Sequence, residues 1–153
     1  MIKHDSLETV VEANTLLSGL GFESGGLAVA HAVAQSYTAI PKVHANHLHG
    51  EMVAMGTLAQ LMMESRPDEA ARVAEFFAAV GLPVHLGQLS LDAGDKSALE
   101  VVSEGALAFP FSGNMPMPVT AELVRSAILD AHRLGLAVVK KTGDAAYRRL
   151  QRC

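Results

Sequence analysis

The sequence predicts an all-α fold, in which helices pack as a bundle around one core. Apolar residues recur about every three or four positions along nearly the whole chain, which is the spacing of one helix face. Alternation with a period of two, the pattern of a half-buried strand, persists nowhere in the sequence. Proline and glycine stand where the apolar patterns break, as expected at helix ends. A chain of 153 residues has the length of one domain.

The first predicted helix begins at a capping box, in which Asp5 is followed by Glu8 three positions later. It is predicted to end at Gly19, because glycine favours helix termination. One face of this helix carries a stripe formed by Leu7, Val10, Val11, Asn14 and Leu17. A mostly apolar stripe of this kind indicates a face that packs against a core.

Further helices follow along the chain. Residues 48–64 are apolar on almost every side, which is typical of a central buried helix. The next helix is bounded by Pro67 in its first turn and by Gly81 after its last. A helix is also predicted over 25–39, closed by the Pro41 region. A connector over 82–89 has room for a short extended piece, and a weaker helix covers 95–105. A proline-broken loop follows over 109–119, and a last helix, capped by Thr120, runs to about residue 140.

Composition and charge exclude several classes of partner. The net charge of −4 and the pI of about 5.9 argue against nucleic acid, and the basic segment 140–152 is interpreted as a solvated helix end. Half of the residues are apolar, yet every apolar run is shorter than a membrane span requires. Cys153 has no cysteine to pair with, and no signal-peptide pattern opens the sequence. The cytoplasm is therefore the expected compartment.

Histidines are the residues best suited to carry chemistry. Four of the seven fall close together in sequence: His31, His44, His47 and His49. His31 lies on the inward stripe of its helix, where a histidine is often simply a satisfied core residue, and His49 opens the buried central helix. Two imidazoles from successive helices suit zinc or iron, but no third ligand is apparent. The sequence leaves two alternatives open: His44 and His47 as exposed loop residues, or a metal site formed by both with His49.

Four segments carry a resemblance to a known family. In chain order they read EANTLLSGLGFESGGLAVAHA, HGEMVAMGTLAQLM, GLPV and GNMPMPVT. They resemble the C-terminal half of glycerol dehydrogenases, members of the iron-containing alcohol dehydrogenase family, which share their fold with dehydroquinate synthase. The resemblance runs from about Glu12 to about Ala137 and therefore covers most of the chain.

The resemblance implies a function and a set of ligands. In the family, a helical domain covers a nucleotide-binding domain, and one aspartate and two histidines hold the metal. The histidines correspond to His31 and His49. The implied cofactors are zinc, with iron as the alternative, and NAD; the implied reaction oxidises glycerol, or a similar small diol, to dihydroxyacetone or the corresponding hydroxyketone. The last dozen residues extend beyond the family pattern.

The family's nucleotide-binding half and its aspartate ligand have no counterpart in this sequence. We therefore expect residues 1–153 to form a single helical metal-binding domain that is inactive by itself and whose partners are the missing half and further copies of the chain. The alternative is a non-catalytic helical module that serves assembly. The resemblance also assigns a purpose to the cluster of Gly19, Gly21, Gly25 and Gly26, namely close backbone approach. Small residues at Ala30 and Ala34 would leave room for metal and substrate.

Overall fold

The computed structural model describes residues 4–151, and within that range every regular element is helical. The α-helices are α1 (His4–Glu12), α2 (Ser18–Gly25), α3 (Val29–Tyr37), α4 (Pro41–His44), α5 (His49–Met63), α6 (Pro67–Val80), α7 (Lys96–Ala108), α8 (Ala121–Thr142) and α9 (Ala145–Leu150). A π-helical turn (Ala13–Leu17) joins α1 to α2, and 3₁₀ turns occupy Leu86–Leu89 and Pro110–Asn114. The predicted all-α fold is confirmed.

The core lies where α3, α5, α7 and α8 meet. Side chains that are fully or almost fully buried there include Val29, Val33 and Tyr37 of α3, Met52, Met55 and Leu58 of α5, Val102 of α7, and Val124 and Ile128 of α8. Burying one such aliphatic side chain stabilises a fold by roughly 1.5–3 kcal/mol. The prediction that residues 48–64 form the central helix is therefore confirmed by α5.

Two glycines let backbones approach closely inside this core. A Cβ atom on Gly56 of α5 would lie 2.1 Å from the carbonyl oxygen of Ala30 in α3. A Cβ atom on Gly135 of α8 would lie 1.7 Å from the carbonyl oxygen of Val84. Both distances are far below any real contact, so these two crossings require glycine.

The N-terminal helix differs from its prediction. It does not end at Gly19 but continues through the π-helical turn to Gly25, and residues 4–25 are called the arm below. Its direction changes after Gly26, whose φ of 69° lies in the left-handed region, and the arm meets α3 at 109°. The predicted inward stripe of the arm is exposed to solvent. The side chain of Asp5, on which the capping box depends, lies outside the described residues.

Several helix ends match their signals. Pro67 is the first residue of α6, and Gly81 follows its end with φ of 87°. Thr120 caps α8, since its Oγ1 accepts a hydrogen bond from the Leu123 amide at 3.2 Å. In α7 the side chain of Asp95 accepts from the Ala98 amide at 3.0 Å in the same way. These starts are set by local chemistry, which is why the sequence identifies them.

The C-terminal segment contains a helix that the sequence analysis did not predict. After α8 the chain turns at Gly143 and forms α9, and the basic side chains in the last turns of both helices are exposed, as expected of solvated helix ends. Tyr147 anchors α9 to the body, because its hydroxyl donates to the carbonyl oxygen of Gln88 at 2.5 Å.

The connector over 82–89 ends in the 3₁₀ turn Leu86–Leu89, which follows the extended residue His85. The side chain of Gln88 accepts a hydrogen bond from the Val84 amide at 2.8 Å.

Within residues 4–151, no single helix combines the length and the apolar character needed to cross a membrane. One bent pair, Ser6–Gly25 with Val29–Tyr37, meets those two criteria jointly.

Candidate metal centre

The structure brings His31 and His49 together. His31 lies near the start of α3 and is half-buried, and His49 is the exposed first residue of α5. The centroids of the two rings are 5.7 Å apart, and the ring planes are inclined by 46°. The two histidines named by the resemblance are therefore neighbours, although 18 positions separate them in the sequence.

This spacing suits two ligands of one ion. Zinc lies about 2.0–2.1 Å from each ligating imidazole nitrogen, which places the ring centroids roughly 5–6 Å apart at a near-tetrahedral angle. Burial lowers the pKa of the His31 imidazole, and the neighbouring His49 ring lowers it further. A lowered pKa favours the neutral imidazole, which is the form that binds metal. The residues present thus fit two of the three ligands that the resemblance implies.

Backbone contacts hold the pair in place. Gly56, two turns after His49, lies against the Ala30 carbonyl, directly before His31, and so fixes how closely α3 and α5 approach. The side chain of Gln60 also crosses between the helices, since its Oε1 accepts a hydrogen bond from the Ala30 amide at 2.9 Å. That bond satisfies one of the amides left free at the start of α3.

The two small residues near His31 differ in their surroundings. Ala34 is fully buried in the core, so it lines no open space beside the imidazole. Ala30 is half-buried, and its backbone contacts Gly56 and the side chain of Gln60. Ala34 therefore serves helix packing, and the expected room for metal and substrate beside Ala30 stays a prediction.

Within the described range, no third ligand stands beside the pair. Among residues 4–151, no group of three or more histidine, cysteine, aspartate or glutamate side chains has a geometry able to hold a metal ion. Glu51, the nearest carboxylate in sequence, accepts a hydrogen bond from the Leu48 amide at 2.7 Å and another from Nε2 of Gln151 at 3.2 Å. Its carboxylate therefore accepts a hydrogen bond that caps the start of α5.

The loop histidines do not form a joint site. His44 is exposed, as expected, but His47 is buried, which corrects the prediction that both are exposed. Nε2 of His47 lies 3.1 Å from Oγ of Ser90, and its Nδ1 lies 3.6 Å from Oε2 of Glu51. The alternative of a metal site formed by His44, His47 and His49 is therefore not supported by the described residues.

Among the described residues, Gly26 is the glycine of the cluster before His31 that other parts of this chain approach closely; the expected approach of the cluster to a neighbouring domain stays a prediction. A Cβ atom on Gly26 would lie 2.9 Å from Nδ2 of Asn114 and 3.2 Å from the ring of Phe111. Asn114 also donates from Nδ2 to the carbonyl oxygen of Leu27 at 2.8 Å. Gly19, Gly21 and Gly25, by contrast, have nothing within 4 Å of the corresponding position.

A second histidine pair was missed by the sequence analysis. The ring centroids of His85 and His132 lie 6.0 Å apart, nearly perpendicular, and Nδ1 of His132 accepts a hydrogen bond from the Leu86 amide at 3.2 Å. That bond leaves the proton on Nε2 of the neutral ring. No local sequence pattern predicts the pair, because 47 positions separate the two residues and the connector that contains His85 has no helix periodicity.

The second pair makes stability depend on pH. Burial lowers the pKa of His85, and the His132 ring lowers it further against an opposing effect of Asp144. Burial likewise lowers the pKa of His132; the charge of Arg133 lowers it further, and the charge of Asp92 raises it. The unfolded chain takes up these protons near pH 6.5, above the pH at which the folded chain does, so the free energy of unfolding should fall as the pH decreases below about 6.5.

We expect His132→Gln to reduce this acid sensitivity, because a glutamine oxygen can still accept from the Leu86 amide but does not titrate. The measurement is the melting temperature by circular dichroism at about pH 7.5 and about pH 5.5. The His132→Gln variant should lose fewer degrees between the two conditions than the native chain does. His44→Gln, at an exposed position, is the matched control. Equal losses in all three proteins would contradict the assignment.

Known proteins show the same segment within longer chains. A glycerol dehydrogenase of Escherichia coli O6:H1 is 48% identical over 132 residues, which are 85% of this chain and 36% of that protein. A glycolaldehyde reductase of Halobacterium salinarum is 42% identical over 145 residues, 90% of this chain and 39% of that protein. The crystal structure of glycerol dehydrogenase from Schizosaccharomyces pombe superimposes with a TM-score of 0.84 at 37% identity and covers 93% of this chain and 37% of that one.

These similarities confirm the resemblance and the helical fold expected from it. No protein-family model matches the sequence. The chain spans little more than a third of the length of the curated relatives that it matches.

Proposed function

Because this chain is homologous to the C-terminal part of the glycerol dehydrogenases, we propose that it forms the metal-binding part of an NAD-dependent polyol dehydrogenase. The substrate class is glycerol or a similar small vicinal diol, and the product is the hydroxyketone, dihydroxyacetone in the case of glycerol. The names of the relatives support this class, since two of them are a glycerol dehydrogenase and a glycolaldehyde reductase. The proposed metal is zinc, with iron as the alternative.

The observation that carries the proposal is the pairing of His31 with His49. Their ring centroids are 5.7 Å apart, and the pKa of His31 is lowered by burial and by the second ring. Two imidazoles from different helices would supply two of the three ligands expected of a catalytic site. The third, an aspartate in the family, would come from a polypeptide segment outside the matched region.

The roles of the two histidines follow from their surroundings. When bound, the metal would supply a Lewis acid that lowers the pKa of a diol hydroxyl, and NAD would accept the hydride. His31 and His49 would both hold the ion, the first from the half-buried start of α3 and the second from the exposed start of α5. The nicotinamide cofactor would be bound by a part of the enzyme outside the matched segment, so we expect no glycerol oxidation by residues 1–153 alone.

The direct test is zinc binding by the purified chain. We expect one zinc ion per chain, measured by isothermal titration calorimetry, and an affinity at least about tenfold lower in either His31→Ala or His49→Ala, because each removes one of two ligands. His44→Ala is the control, since His44 is an exposed histidine of the neighbouring α4. Full zinc affinity in the His31→Ala protein would contradict the proposal.

A second candidate is a non-catalytic module that serves assembly. The exposed apolar side chains of the arm favour it, since soluble proteins rarely leave such a surface bare. This candidate requires no zinc binding by the native chain, so the same titration separates the two functions.

A further inference from the structure

The arm exposes more apolar surface than any other element in the described part of the chain. Its large apolar side chains are each between 48% and 55% exposed; they are Leu7, Val10, Val11, Leu16, Leu17, Leu20 and Phe22. Together they form a surface on the order of several hundred Å², the upper limit of what monomeric soluble proteins leave uncovered. None of these side chains belongs to the buried core.

The arm contacts the body at its C-terminal end. There the ring of Phe22 meets that of Phe111 at a centroid distance of 5.8 Å, edge to face. Asn114 donates from Nδ2 to the carbonyl oxygen of Leu27, and Gly26 provides the left-handed turn between them. These contacts fix the base of the arm close to the start of α3, the helix that carries His31.

The apolar side chains do not form a single seam. Val10 and Val11 are consecutive, as are Leu16 and Leu17, and consecutive residues of a helix point about 100° apart. The π-helical turn Ala13–Leu17 also changes the phase of the helix between these two pairs. A helix that is apolar on several sides is normally enclosed by several elements, whereas pairing with one other helix covers a single stripe. An equal arm from a second copy would therefore leave much of this surface exposed.

The length of the relatives indicates an occupant large enough to enclose the arm. This chain covers 36% of the Escherichia coli enzyme and 37% of the chain solved from Schizosaccharomyces pombe. A bilayer is a poorer occupant, because the exposed charges of the arm are the acidic Glu8, Glu12 and Glu23, whereas helices that bind anionic membranes are rich in lysine and arginine.

We propose that the arm, residues 4–25, is the docking surface for the portion of the dehydrogenase that precedes the matched segment, whether the two are joined or separate. The inference rests on the proposed function, because it takes that portion as the partner. It adds that apolar contacts along the arm, and not the histidine pair, hold the two portions together. Association should therefore depend on Val10 and Leu17 and should still occur when zinc is absent.

The experiment combines this chain with the portion of the Escherichia coli O6:H1 glycerol dehydrogenase that precedes the matched segment, produced in the same cells. Native mass spectrometry should show a one-to-one complex, and hydrogen exchange should show the arm amides protected in it. The variant Val10→Glu/Leu17→Glu should weaken association at least tenfold, because it places two charges in the apolar surface. The matched control is Phe76→Glu/Val101→Glu, at exposed positions of α6 and α7. Circular dichroism shows whether both variants keep the native helix content.

Several results would overturn the docking surface. One is that the native chain forms no complex, and another is that the arm variant associates as strongly as the native chain does. A third is that the arm amides exchange as fast in the complex as in the isolated chain. The docking surface would also be wrong if the arm instead held a dimer of this chain, which the variant would abolish, or bound vesicles of anionic phosphatidylglycerol. If the complex forms equally well with the arm variant but binds zinc through His31, only the docking surface is contradicted and the proposed function is not. A complex that needs the arm but binds no zinc would contradict the proposed function alone.

Discussion

The variant Gly135→Ala is expected to lose at least about 3 kcal/mol of unfolding free energy, at the upper end of what overpacking costs. The added Cβ would lie 1.7 Å from the carbonyl oxygen and 2.4 Å from the carbonyl carbon of Val84. Both atoms belong to the backbone, so no side-chain rotation can relieve the contact. Helix α8 would have to move away from the segment that carries Val84, His85 and the Leu86 amide. Urea unfolding followed by circular dichroism measures the loss.

The control for this prediction is Gly19→Ala. Gly19 also lies within a helix, but nothing is found within 4 Å of its Cβ position. Alanine there should leave stability unchanged or raise it by up to about 1 kcal/mol, because alanine restricts the unfolded chain more than glycine does. If both variants unfolded at the same urea concentration, the close crossing of α8 with Val84 would be wrong.

The second large effect is expected for Gly56→Ala, which should reduce both stability and zinc binding. Its Cβ would lie 2.1 Å from the carbonyl oxygen of Ala30, so α5 must move away from α3. The loss of stability should be about 2–3 kcal/mol, typical of an overpacked core. Since His31 and His49 lie on these two helices, their rings should separate as well, and the zinc affinity should fall at least tenfold at a temperature where the variant is folded.

Gly50→Ala separates this effect from a general change near the site. Gly50 follows His49 directly, and nothing lies within 4 Å of its Cβ position. This variant should retain both the stability and the zinc affinity of the native chain. Normal zinc binding by folded Gly56→Ala would show that the close crossing of α3 and α5 does not set the spacing of the imidazoles.

Helix starts and ends were predictable from the sequence where their causes are local. Pro67, Thr120 and Gly81 act through their own backbone geometry or a hydrogen bond within one turn. The arm was predicted wrongly because only local signals were available for it. Its stripe indicated a buried face, and its glycines indicated an end at Gly19. What covers a stripe is a property of distant residues, and the described part of the chain provides no cover for this one.

The candidate site, like the fold, could be predicted from the sequence only in part. The resemblance named His31 and His49, and the structure places their rings together, but helix periodicity alone could not show that they meet. The burial of His47 depends on Ser90, and the pairing of His85 with His132 depends on α8 crossing the connector. Contacts between residues more than 40 positions apart carry no local signal, so only the tertiary structure reveals them.

The contact of Gly56 with Ala30 has a consequence for the order of events in assembly. Because backbone atoms set the separation of α3 and α5, the two imidazoles need little reorganisation to share an ion. A ligand pair that is already arranged loses little conformational entropy when it binds, so more of the binding free energy is retained. If the chain binds zinc as proposed, it would present two of the three protein ligands already arranged, and the incoming carboxylate would be the only protein ligand still to be ordered.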